Sequence, residues 1–291
     1  MQLTAKQEAG LKMAVTRADL GMRYTVIAGY AGSGKAQPND TIIPTLNGFK
    51  RLDELKIGDY IFDRLGQPTK VIGIFPQGKL EVFKVTFKDG RSTLCNDEHL
   101  WAYYNQKGND LFVASLKELQ ARGLTYNSGS YKIKIPRCKP LQYPEKQFKI
   151  DPYVIGCFLG DGYCTSNELA FSSSDEEIVQ EIALKIGAKN YVRKAENEYT
   201  WFFESFNPKG RAKKYIQTYE LFDNELKDYL IQYSDKKRIP PEYLQGSIKQ
   251  RYELLRGLLD TDGSINATDK YHQIRFTTIS ENLCKDFMSL L

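Results

Sequence analysis

Two similar phrases lie about 100 residues apart and constrain the fold of this chain more than any other feature. Each phrase is an apolar run that ends in Asp-Gly, and together they occupy residues 154–162 and 255–263. The small residues Gly156, Gly160 and Gly257 would let two helices of this kind approach each other closely. The sequence therefore predicts two packed helices whose ends bring Asp161 and Asp262 side by side.

The segments around the two phrases repeat one plan, in which a helix is followed by strands. After the first phrase, the pattern predicts a helix over residues 175–186, and aromatic strands around Tyr191 and over residues 201–206. A similar plan begins again near Gln250. We therefore expect residues 147–291 to form an α+β domain with a pseudo-two-fold repeat, whose second half is incomplete.

Residues 36–146 have a different character, because short runs rich in β-branched and aromatic residues alternate with turn residues. The predicted strands cover residues 41–43, 60–62, 70–74, 82–87 and 131–135. Their close spacing leaves room for one helix, over residues 115–120. The sequence therefore predicts that this segment is an all-β domain.

The composition excludes several classes of protein. With 41% hydrophobic and 26% charged residues, the 291-residue chain has the profile of a globular protein large enough for two or three domains. Five cysteines without a Cys-x-x-Cys pair argue against a disulfide framework and favour a reducing, cytoplasmic setting. We expect no membrane partner, because no apolar run reaches the ~18 residues of a membrane span. The net charge of +5 permits a polyanionic partner without requiring one.

The first 35 residues end in a glycine-rich loop. A capping-box pattern at Thr4 and Gln7 predicts a helix over residues 3–22, and a β-branched run predicts a strand over residues 24–28. That strand leads into Gly-Tyr-Ala-Gly-Ser-Gly-Lys, residues 29–35, which has the composition of a phosphate-binding loop.

In a loop of this type, glycines such as Gly29 and Gly34 let backbone amides surround phosphates, and Lys35 reaches the outer phosphates. The next residue normally carries a hydroxyl that holds magnesium, but Ala36 has none, and no helix-forming segment follows. The loop is therefore interrupted after Lys35. Residues 1–35 resemble the beginning of a superfamily 1 DNA helicase of the RecD or phage type.

The segment after the interruption resembles the amino-terminal block of inteins, which have the Hint fold. The resemblance covers residues 40–48 and 51–61, including the phrase Leu-Lys-Ile-Gly-Asp. Residues 96–100 resemble the second intein block, in which a histidine follows a Thr or Asn by three residues. This resemblance implies a self-splicing domain.

The intein resemblance implies roles for four residues. Lys35 would precede the splice junction, and Ala36 would occupy the position of the splicing nucleophile. Splicing breaks an amide bond, so one group must protonate the leaving amine and another must support the displaced carbonyl. His99 would act as the acid, with Asn96 assisting. The structural alternative is a histidine that merely satisfies its hydrogen bonds near a strand end.

Two departures from the intein pattern bear on splicing. Inteins usually begin with Cys or Ser, whereas Ala36 has no nucleophilic atom. Either an ancestral Cys was replaced, which we favour, or the domain belongs to the inteins that begin with Ala and let the downstream residue attack directly. The chain also ends at Leu291 without the terminal His-Asn pair. We therefore expect splicing to require a C-terminal intein segment, as in a truncated or split intein.

The two repeated phrases resemble the LAGLIDADG motif of homing endonucleases. This resemblance implies an enzyme that cleaves double-stranded DNA at a specific site. Asp161 and Asp262 would hold Mg²⁺, because paired carboxylates with this metal can activate water at a phosphodiester. Ordinary helix-ending Asp-Gly turns are the structural alternative.

Residues 235–240 resemble the Lys-x-Ile-Pro block of the same family, which makes Lys237 a candidate for stabilising charge near the scissile phosphate. A solvated basic loop is an equal alternative. Basic and aromatic residues in the strands after the motifs would lie along DNA. These residues are Tyr191, Arg193, Lys194, Trp201, Lys209, Arg211, Lys213 and Lys214.

The sequence thus predicts three segments. Residues 1–35 would be host flank (the N-extein), residues 36–146 the N-terminal part of a Hint splicing domain, and residues 147–291 a homing endonuclease. Two other functions stay open. A helicase ATPase would bind ATP tightly with magnesium, and a DNA-binding module would bind DNA without cleaving it even when Mg²⁺ is present.

Overall fold

The protein is described from a computed structural model. The structure describes residues 16–18, 23–29, 35–105, 110–165, 169–194, 197–206, 214–217, 221–222, 224–230, 233–268 and 271–291. The chain folds into two compact units, Met1–Gln142 and Tyr143–Leu291.

The first unit is built from antiparallel strands. In its described part these are β1 (Thr16–Ala18), β2 (Arg23–Gly29), β3 (Lys35–Pro38), β4 (Ile42–Thr45), β5 (Gly48–Arg51), β6 (Tyr60–Phe62), β7 (Pro68–Lys79), β8 (Val82–Thr86), β9 (Ser92–Cys95), β10 (Leu100–Asn105), β11 (Leu111–Ser115) and β12 (Ile133–Lys134). They form a six-stranded sheet in the order β3-β2-β7-β6-β4-β5 and two three-stranded sheets in the orders β1-β8-β9 and β11-β10-β12. The strands expected from the β-rich runs are therefore present.

The helix expected near residue 115 is Leu116–Arg122. It begins with a capping box: the Ser115 hydroxyl accepts from the Glu118 amide at 3.3 Å, and the Glu118 carboxylate accepts from the Ser115 amide at 2.8 Å. Leu116 and Leu119 are fully buried. They join a core made with Val85, Cys95, Trp101, Tyr103, Ala114 and Ile133.

The beginning of the chain departs from its prediction. The helix expected over residues 3–22 is wrong at Thr16–Ala18, which form β1 and pair with β8. The rest of that segment lies outside the described residues. Pairing with a neighbouring strand overrides a local helical spacing of this length, because the spacing alone stabilises a helix only weakly. The strand expected over residues 24–28 is confirmed as β2.

The second unit combines helices with two antiparallel sheets. Its described helices are Pro152–Gly160, Glu176–Lys185, Asn224–Leu230, Pro241–Leu244, Ile248–Asp262 and Glu281–Leu290. Its strands are β13 (Gly162–Cys164), β14 (Leu169–Ser172), β15 (Asn190–Lys194), β16 (Asn197–Glu204), β17 (Gly263–Thr268) and β18 (Tyr271–Phe276). They form a four-stranded sheet, β13-β14-β16-β15, and the hairpin β17-β18. We call Pro152–Gly160 the first motif helix and Ile248–Asp262 the second motif helix.

A helix, a hairpin and a second helix follow one another in each half of this unit. Each motif helix leads into a hairpin, and the first hairpin residue pairs in the same way in both halves: Gly162 with Phe171, and Gly263 with Phe276. The carbonyl that ends each motif also has an equivalent partner. The oxygens of Asp161 and Asp262 accept from the amides of Ser172 and Thr277, at 3.1 and 3.2 Å. The internal repeat that the sequence predicts is therefore visible in backbone hydrogen bonds.

The helix after each hairpin also begins in an equivalent way. Asp175 caps Glu176–Lys185, and Ser280 caps Glu281–Leu290. The amide of each capping residue donates to a hydroxyl two residues earlier, that of Ser173 and that of Thr278, at 3.0 and 3.1 Å. The two halves thus share a plan that extends beyond the motif phrases.

The core of the second unit is centred on the motif helices. Val154, Ile155 and Phe158 from the first helix and Leu254 and Leu258 from the second are fully buried. Aromatic rings from β14, β16 and residue 222 surround Phe158. Among the helices described in either unit, none has the length and apolarity that a membrane crossing requires.

Candidate functional site

The two motif helices cross at glycines that allow direct backbone contact. A Cβ atom on Gly156 would lie 2.4 Å from the carbonyl oxygen of Leu254 and 2.9 Å from the amide nitrogen of Leu258. A Cβ atom on Gly257 would lie 2.2 Å from the carbonyl oxygen of Tyr153. Larger side chains at either position would force the helices apart, so the crossing depends on glycine.

The third glycine, Gly160, lies against the end of the second motif helix. A Cβ atom on it would lie 2.0 Å from Thr261 Oγ1 and 3.4 Å from Asp262 Oδ2. The Thr261 hydroxyl is held by its own helix, since it donates to the carbonyl of Gly257 at 3.0 Å. The Asp262 carboxylate is therefore placed next to the last turn of the first motif helix, directly before Asp161.

Asp161 and Asp262 lie at the ends of the two motif helices, and the charge of Asp262 affects the pKa of Asp161. Burial raises the pKa of the Asp161 carboxyl, and the negative charge of Asp262 raises it further. Burial also raises the pKa of the Asp262 carboxyl. A Cβ atom on Gly160, the residue directly before Asp161, would lie 3.4 Å from Asp262 Oδ2, so the two carboxyl groups are close in space. The two halves therefore contribute one carboxyl group each to a single, half-buried site.

Lys237 is the third member of this site. Only 8% of the residue is exposed, and its Nζ donates to the carbonyl of Gly160 at 2.9 Å. Burial lowers the pKa of the Lys237 ammonium, while the charges of Asp262, Cys164 and Asp161 act in the opposite direction. The sequence predicts these three side chains for one site, and the structure brings them together. A solvated basic loop does not describe a lysine this buried.

The donor set determines which metal the site fits. Mg²⁺ commonly takes one or two carboxylates and completes its octahedron with waters and substrate phosphate oxygens. Asp161 and Asp262 supply two carboxylates. In the described ranges of the chain, no group of three or more His, Cys, Asp and Glu side chains could hold a metal ion. The pair therefore fits a metal that takes its remaining ligands from outside the protein, and does not fit a cage made entirely by protein.

The prediction that Trp201 lies along DNA is wrong. Only 3% of Trp201 is exposed, and its indole nitrogen donates to the carbonyl of Ser173 at 2.9 Å. Side chains on a strand alternate between faces, and Trp201 shares its inward face with Phe203. The ring therefore belongs to the core, where Tyr191 meets it edge-on.

Two of the expected basic residues remain on the surface. Arg193 lies over the Trp201 ring at 4.5 Å and 3.7 Å from a Glu176 oxygen. Lys214 pairs with Glu204 at 2.6 Å, and its side chain is 63% exposed. Both cations are accessible to a polyanion. The side chains of Lys194, Lys209, Arg211 and Lys213 lie outside what the structure describes.

The described residues around the predicted interruption at Lys35 lie in two paired strands of the first unit. Lys35 lies opposite Ile27, and Ala36 opposite Val26. In a working phosphate-binding loop the lysine opens a helix. Here Lys35 begins a strand, β3, which lies against β9. Of the two loop glycines expected to bind phosphate, Gly29 ends β2, and Gly34 lies outside the described residues.

Asn96 and His99 follow β9 directly and are buried, with exposures of 8% and 4%. The carbonyl of His99 accepts from the amide of Leu116 at 3.0 Å, which ties this turn to the start of the helix. Both residues predicted for splicing therefore lie on the segment that continues the strand next to β3. Their roles stay predictions.

Trp101 and Cys95 are neighbours of this turn that the sequence analysis did not single out. The rings of His99 and Trp101 have centroids 5.1 Å apart, and burial raises the pKa of the Cys95 thiol to about 12. Among the described residues, Asn96 Oδ1 is a buried acceptor without a hydrogen-bond partner. In an extended chain, two residues at a spacing of two lie on the same face. The spacing of His99 and Trp101 could therefore have predicted from the sequence that the two rings are neighbours.

Comparison with known proteins finds a family match for the last part of the second unit. Residues 249–291, which include nearly all of the second motif helix, match a family model described as a LAGLIDADG-like domain. This segment carries Asp262, the hairpin β17-β18 and the helix Glu281–Leu290. The chain therefore contains a LAGLIDADG-like domain.

The chain is also similar to parts of longer proteins. It is 26% identical over 287 residues to the replicative DNA helicase DnaB of Mycobacterium intracellulare, covering 91% of this chain and 43% of that protein. It is 23% identical over 326 residues to the ribonucleoside-diphosphate reductase NrdEB subunit alpha of Bacillus subtilis (strain 168), covering 96% of this chain and 28% of that protein. The corresponding subunit of Bacillus phage SPbeta matches equally well. The chain spans less than half the length of each relative.

Proposed function

We propose that the second unit is a homing endonuclease that cleaves double-stranded DNA at a centre formed by Asp161, Asp262 and Lys237. The observation that carries this proposal is the meeting of two carboxylates and one buried ammonium at the paired helix ends. The LAGLIDADG-like match over residues 249–291 supports the same function, because it contains one of the two carboxylates.

The three side chains suit phosphodiester hydrolysis. Bound Mg²⁺ would activate the attacking water and neutralise charge on the phosphate. Asp161 and Asp262 would hold that metal from opposite halves and orient it toward the DNA backbone. The Lys237 ammonium has three donors, of which one goes to the carbonyl of Gly160. The others would stabilise the negative charge that develops on the phosphate oxygens.

We propose further that the first unit is the N-terminal part of an intein (Hint) splicing domain inserted after Lys35. The strand character of residues 35–38 and the burial of Asn96 and His99 beyond the neighbouring strand support this reading. Asn96 Oδ1 is a buried acceptor without a partner among the described residues, and a scissile amide N–H would satisfy it. A C-terminal intein segment would complete the domain.

The two kinds of relative support an inserted element. One is named for DNA helicase activity and the other for ribonucleotide reduction, yet each aligns with more than nine tenths of this chain. In both cases the aligned region is under half of the relative. A segment shared by proteins of different activities is expected when one mobile element enters different host proteins. Residues 1–35 would then be the helicase-like host flank.

A cleavage assay tests the endonuclease. The substrate is a DNA duplex that encodes an uninterrupted helicase phosphate-binding loop across the codon for Lys35, because insertion would divide such a recognition site. The matched control is the same duplex interrupted by the codons for residues 36 onward. We expect Mg²⁺-dependent cleavage of the first duplex and none of the second. Tight binding without cleavage would favour a DNA-binding module instead.

The splicing proposal is tested by restoring a nucleophile. Ala36→Cys, complemented with a C-terminal Hint segment, is expected to give thiol-induced cleavage after Lys35, detected by mass spectrometry. His99→Ala in the same background should slow that cleavage about a hundredfold, since the leaving amine loses its acid. A folded, complemented Ala36→Cys protein that is not cleaved would favour the mechanism in which the downstream residue attacks directly.

Calorimetry with ATP tests the helicase alternative. We expect no magnesium-dependent binding, because Lys35 begins a strand and Ala36 offers no hydroxyl to the metal. Tight binding would revive an ATPase function for the chain.

A further inference from the structure

The segment that carries Lys237 is held by two side chains that have no role in the centre described above. Ser280, which begins the helix Glu281–Leu290, bonds through its hydroxyl to the carbonyl of Lys237 at 2.5 Å. Asp286, about 1.7 turns further along that helix, accepts from the amide of Ile239 at 2.9 Å. Side chains from one helix therefore form hydrogen bonds with the backbone on both sides of residue 238.

The side chains of Ser280 and Asp286 are both buried where they bond to the backbone of the lysine segment. Ser280 is 1% exposed and Asp286 is 9% exposed. The Ser280 oxygen also accepts from the amide of Leu283 at 3.1 Å, so its hydroxyl hydrogen is directed to the carbonyl of Lys237. Asp286 has a second partner in the Arg238 guanidinium, at 3.8 Å. The lysine segment is thus fixed by hydrogen bonds in addition to the burial of Ile239.

The first half of the unit offers a comparison, because the residue that caps its second helix makes no contact with a lysine segment among the bonds resolved for it. Asp175 occupies the position equivalent to Ser280, and its carboxylate accepts from the amide of Glu177 at 3.0 Å. Asp175 is exposed and, apart from the hydrogen bond that its own amide donates to Ser173, makes only this capping bond among the contacts resolved for it. Ser280 also caps its helix, by accepting from the amide of Leu283, and it holds the lysine segment as well. The additional contact is specific to the second half.

We propose that Ser280 and Asp286 are positioning residues that hold Lys237 at the paired carboxylates. The inference rests on the proposed function, in which Lys237 stabilises charge on the phosphate. A lysine side chain has a flexible four-carbon stem, so the position of its ammonium depends on where its backbone is fixed. Release of the two flanking contacts would let the ammonium leave the carbonyl of Gly160. Misplacement by about 1 Å at a reacting centre reduces rates on the order of a hundredfold.

Amine labelling tests the positioning without relying on cleavage. The full chain is treated with acetic anhydride, and acetylation of Lys237 is measured by mass spectrometry against its exposed neighbour Lys236. We expect Lys237 to be protected in the parent and in Asp175→Ala, and to be labelled about tenfold faster in Ser280→Ala/Asp286→Leu. Ser280→Thr and Asp286→Asn keep an oxygen at each contact and should keep the protection.

Thermal unfolding shows that each variant is folded, and Asp175→Ala matches the stability lost with a cap. If Lys237 stays as protected in folded Ser280→Ala/Asp286→Leu as in the parent, the proposal is wrong.

A double-mutant cycle tests the consequence for catalysis. Ser280→Ala/Asp286→Leu is expected to slow single-turnover DNA cleavage about a hundredfold, with DNA affinity changed less than threefold. In a Lys237→Met background the same pair should change the rate less than threefold, because the side chain that it positions is absent. An equal loss of rate in both backgrounds would overturn the proposal.

If the parent protein binds DNA and does not cleave it, the endonuclease proposal fails. Labelling of Lys237 still decides whether Ser280 and Asp286 hold the lysine. The two failures are therefore distinguishable.

Discussion

The two halves of the second unit share a backbone plan and differ in the side chains placed on it. Both halves run from motif helix to hairpin to capped helix, with equivalent bonds from Ser172 and Thr277 to the carbonyls of the two motif aspartates. The first half extends its hairpin into a four-stranded sheet, whereas the second hairpin stands as two strands in the described residues. The two halves therefore share the backbone hydrogen bonds that fix the motif aspartates, and they differ elsewhere.

The divergence is clearest at the end of the motif helices. Gly160 in the first helix occupies the position that Thr261 occupies in the second, and the threonine fits only because glycine faces it. Lys237 donates to the carbonyl of Gly160, so its ammonium is tied to the end of the first motif helix. The repeat thus produces a symmetric pair of carboxylates and an asymmetric cation, and the proposed centre draws side chains from both halves.

The strongest expected effect comes from removing one carboxylate charge. Asp262→Asn should slow DNA cleavage on the order of a thousandfold while leaving DNA affinity largely intact, because the metal would lose a ligand. The matched control is Asp260→Asn, two residues earlier, whose amide oxygen can still accept from the Tyr153 hydroxyl. Single-turnover kinetics measure the rate. Retained cleavage by Asp262→Asn would remove it from the centre.

The glycine crossing between the halves is expected to be intolerant of any side chain. Gly257→Val should lower the free energy of unfolding by about 3 kcal/mol or prevent folding, because its Cβ would meet the backbone of Tyr153. Leu184→Ala, on an exposed helical position of the first half, should change stability by less than about 0.5 kcal/mol. Urea denaturation measures both. A stable, active Gly257→Val protein would show that the helices do not pack as described.

Lys237 tests the asymmetric part of the comparison. Lys237→Met keeps the length of the apolar stem and removes the ammonium, so cleavage should fall about a hundredfold with little change in DNA affinity. Lys236→Met, at its exposed neighbour, should leave the cleavage rate within about twofold of the parent. If both variants behave alike, Lys237 has no special role.

The smallest effect concerns an ion-pair network that joins the halves. Arg256 of the second motif helix donates to both carboxylate oxygens of Glu181 in the first half and lies over the Tyr153 ring at 3.9 Å. The Arg256 guanidinium lowers the pKa of the Glu181 carboxyl. These side chains are 39% and 31% exposed, so solvent screening limits the contribution to about 1 kcal/mol.

The sign of the pH dependence follows from the lowered pKa. Glu181 is more acidic in the folded state than its ordinary value of 4.5, so its charge stabilises the fold above that pH. The stabilisation is lost as the pH falls through the folded-state pKa. The stability difference between the parent and Arg256→Met should therefore be present at neutral pH and decrease below about pH 4.5. A difference that does not change with pH would contradict the assignment.

The sequence was sufficient to predict what depends on local pattern. The apolar phrases with their glycines predicted the motif helices and their close contact. The Lys-x-Ile-Pro block made Lys237 a candidate for the same site, and its ammonium donates to the carbonyl of Gly160 at the end of the first motif helix. Each of these features depends on the identity of a few residues that are adjacent in the sequence. The beginning of the chain at Thr16–Ala18 was predicted wrongly because pairing with β8 is a long-range event.

Other features depend on contacts that no local pattern records. Ser280 and Asp286 bond to residues 43 and 47 positions away, so their grip on the lysine segment becomes visible only in three dimensions. Trp201 was predicted to lie along DNA because it belongs to a strand segment after the first motif that is rich in basic and aromatic residues. Which of its faces is buried depends on the helices packed against it.

Strand-resolved nicking tests most directly whether Asp161 and Asp262 form one centre. A duplex labelled on both strands is incubated with Asp161→Asn, with Asp262→Asn and with the double variant. If the carboxylates act as one unit, each single variant loses cleavage of both strands, and the double variant is no worse than either. A single variant that still nicks one strand at the parental rate would contradict a centre shared between the two halves.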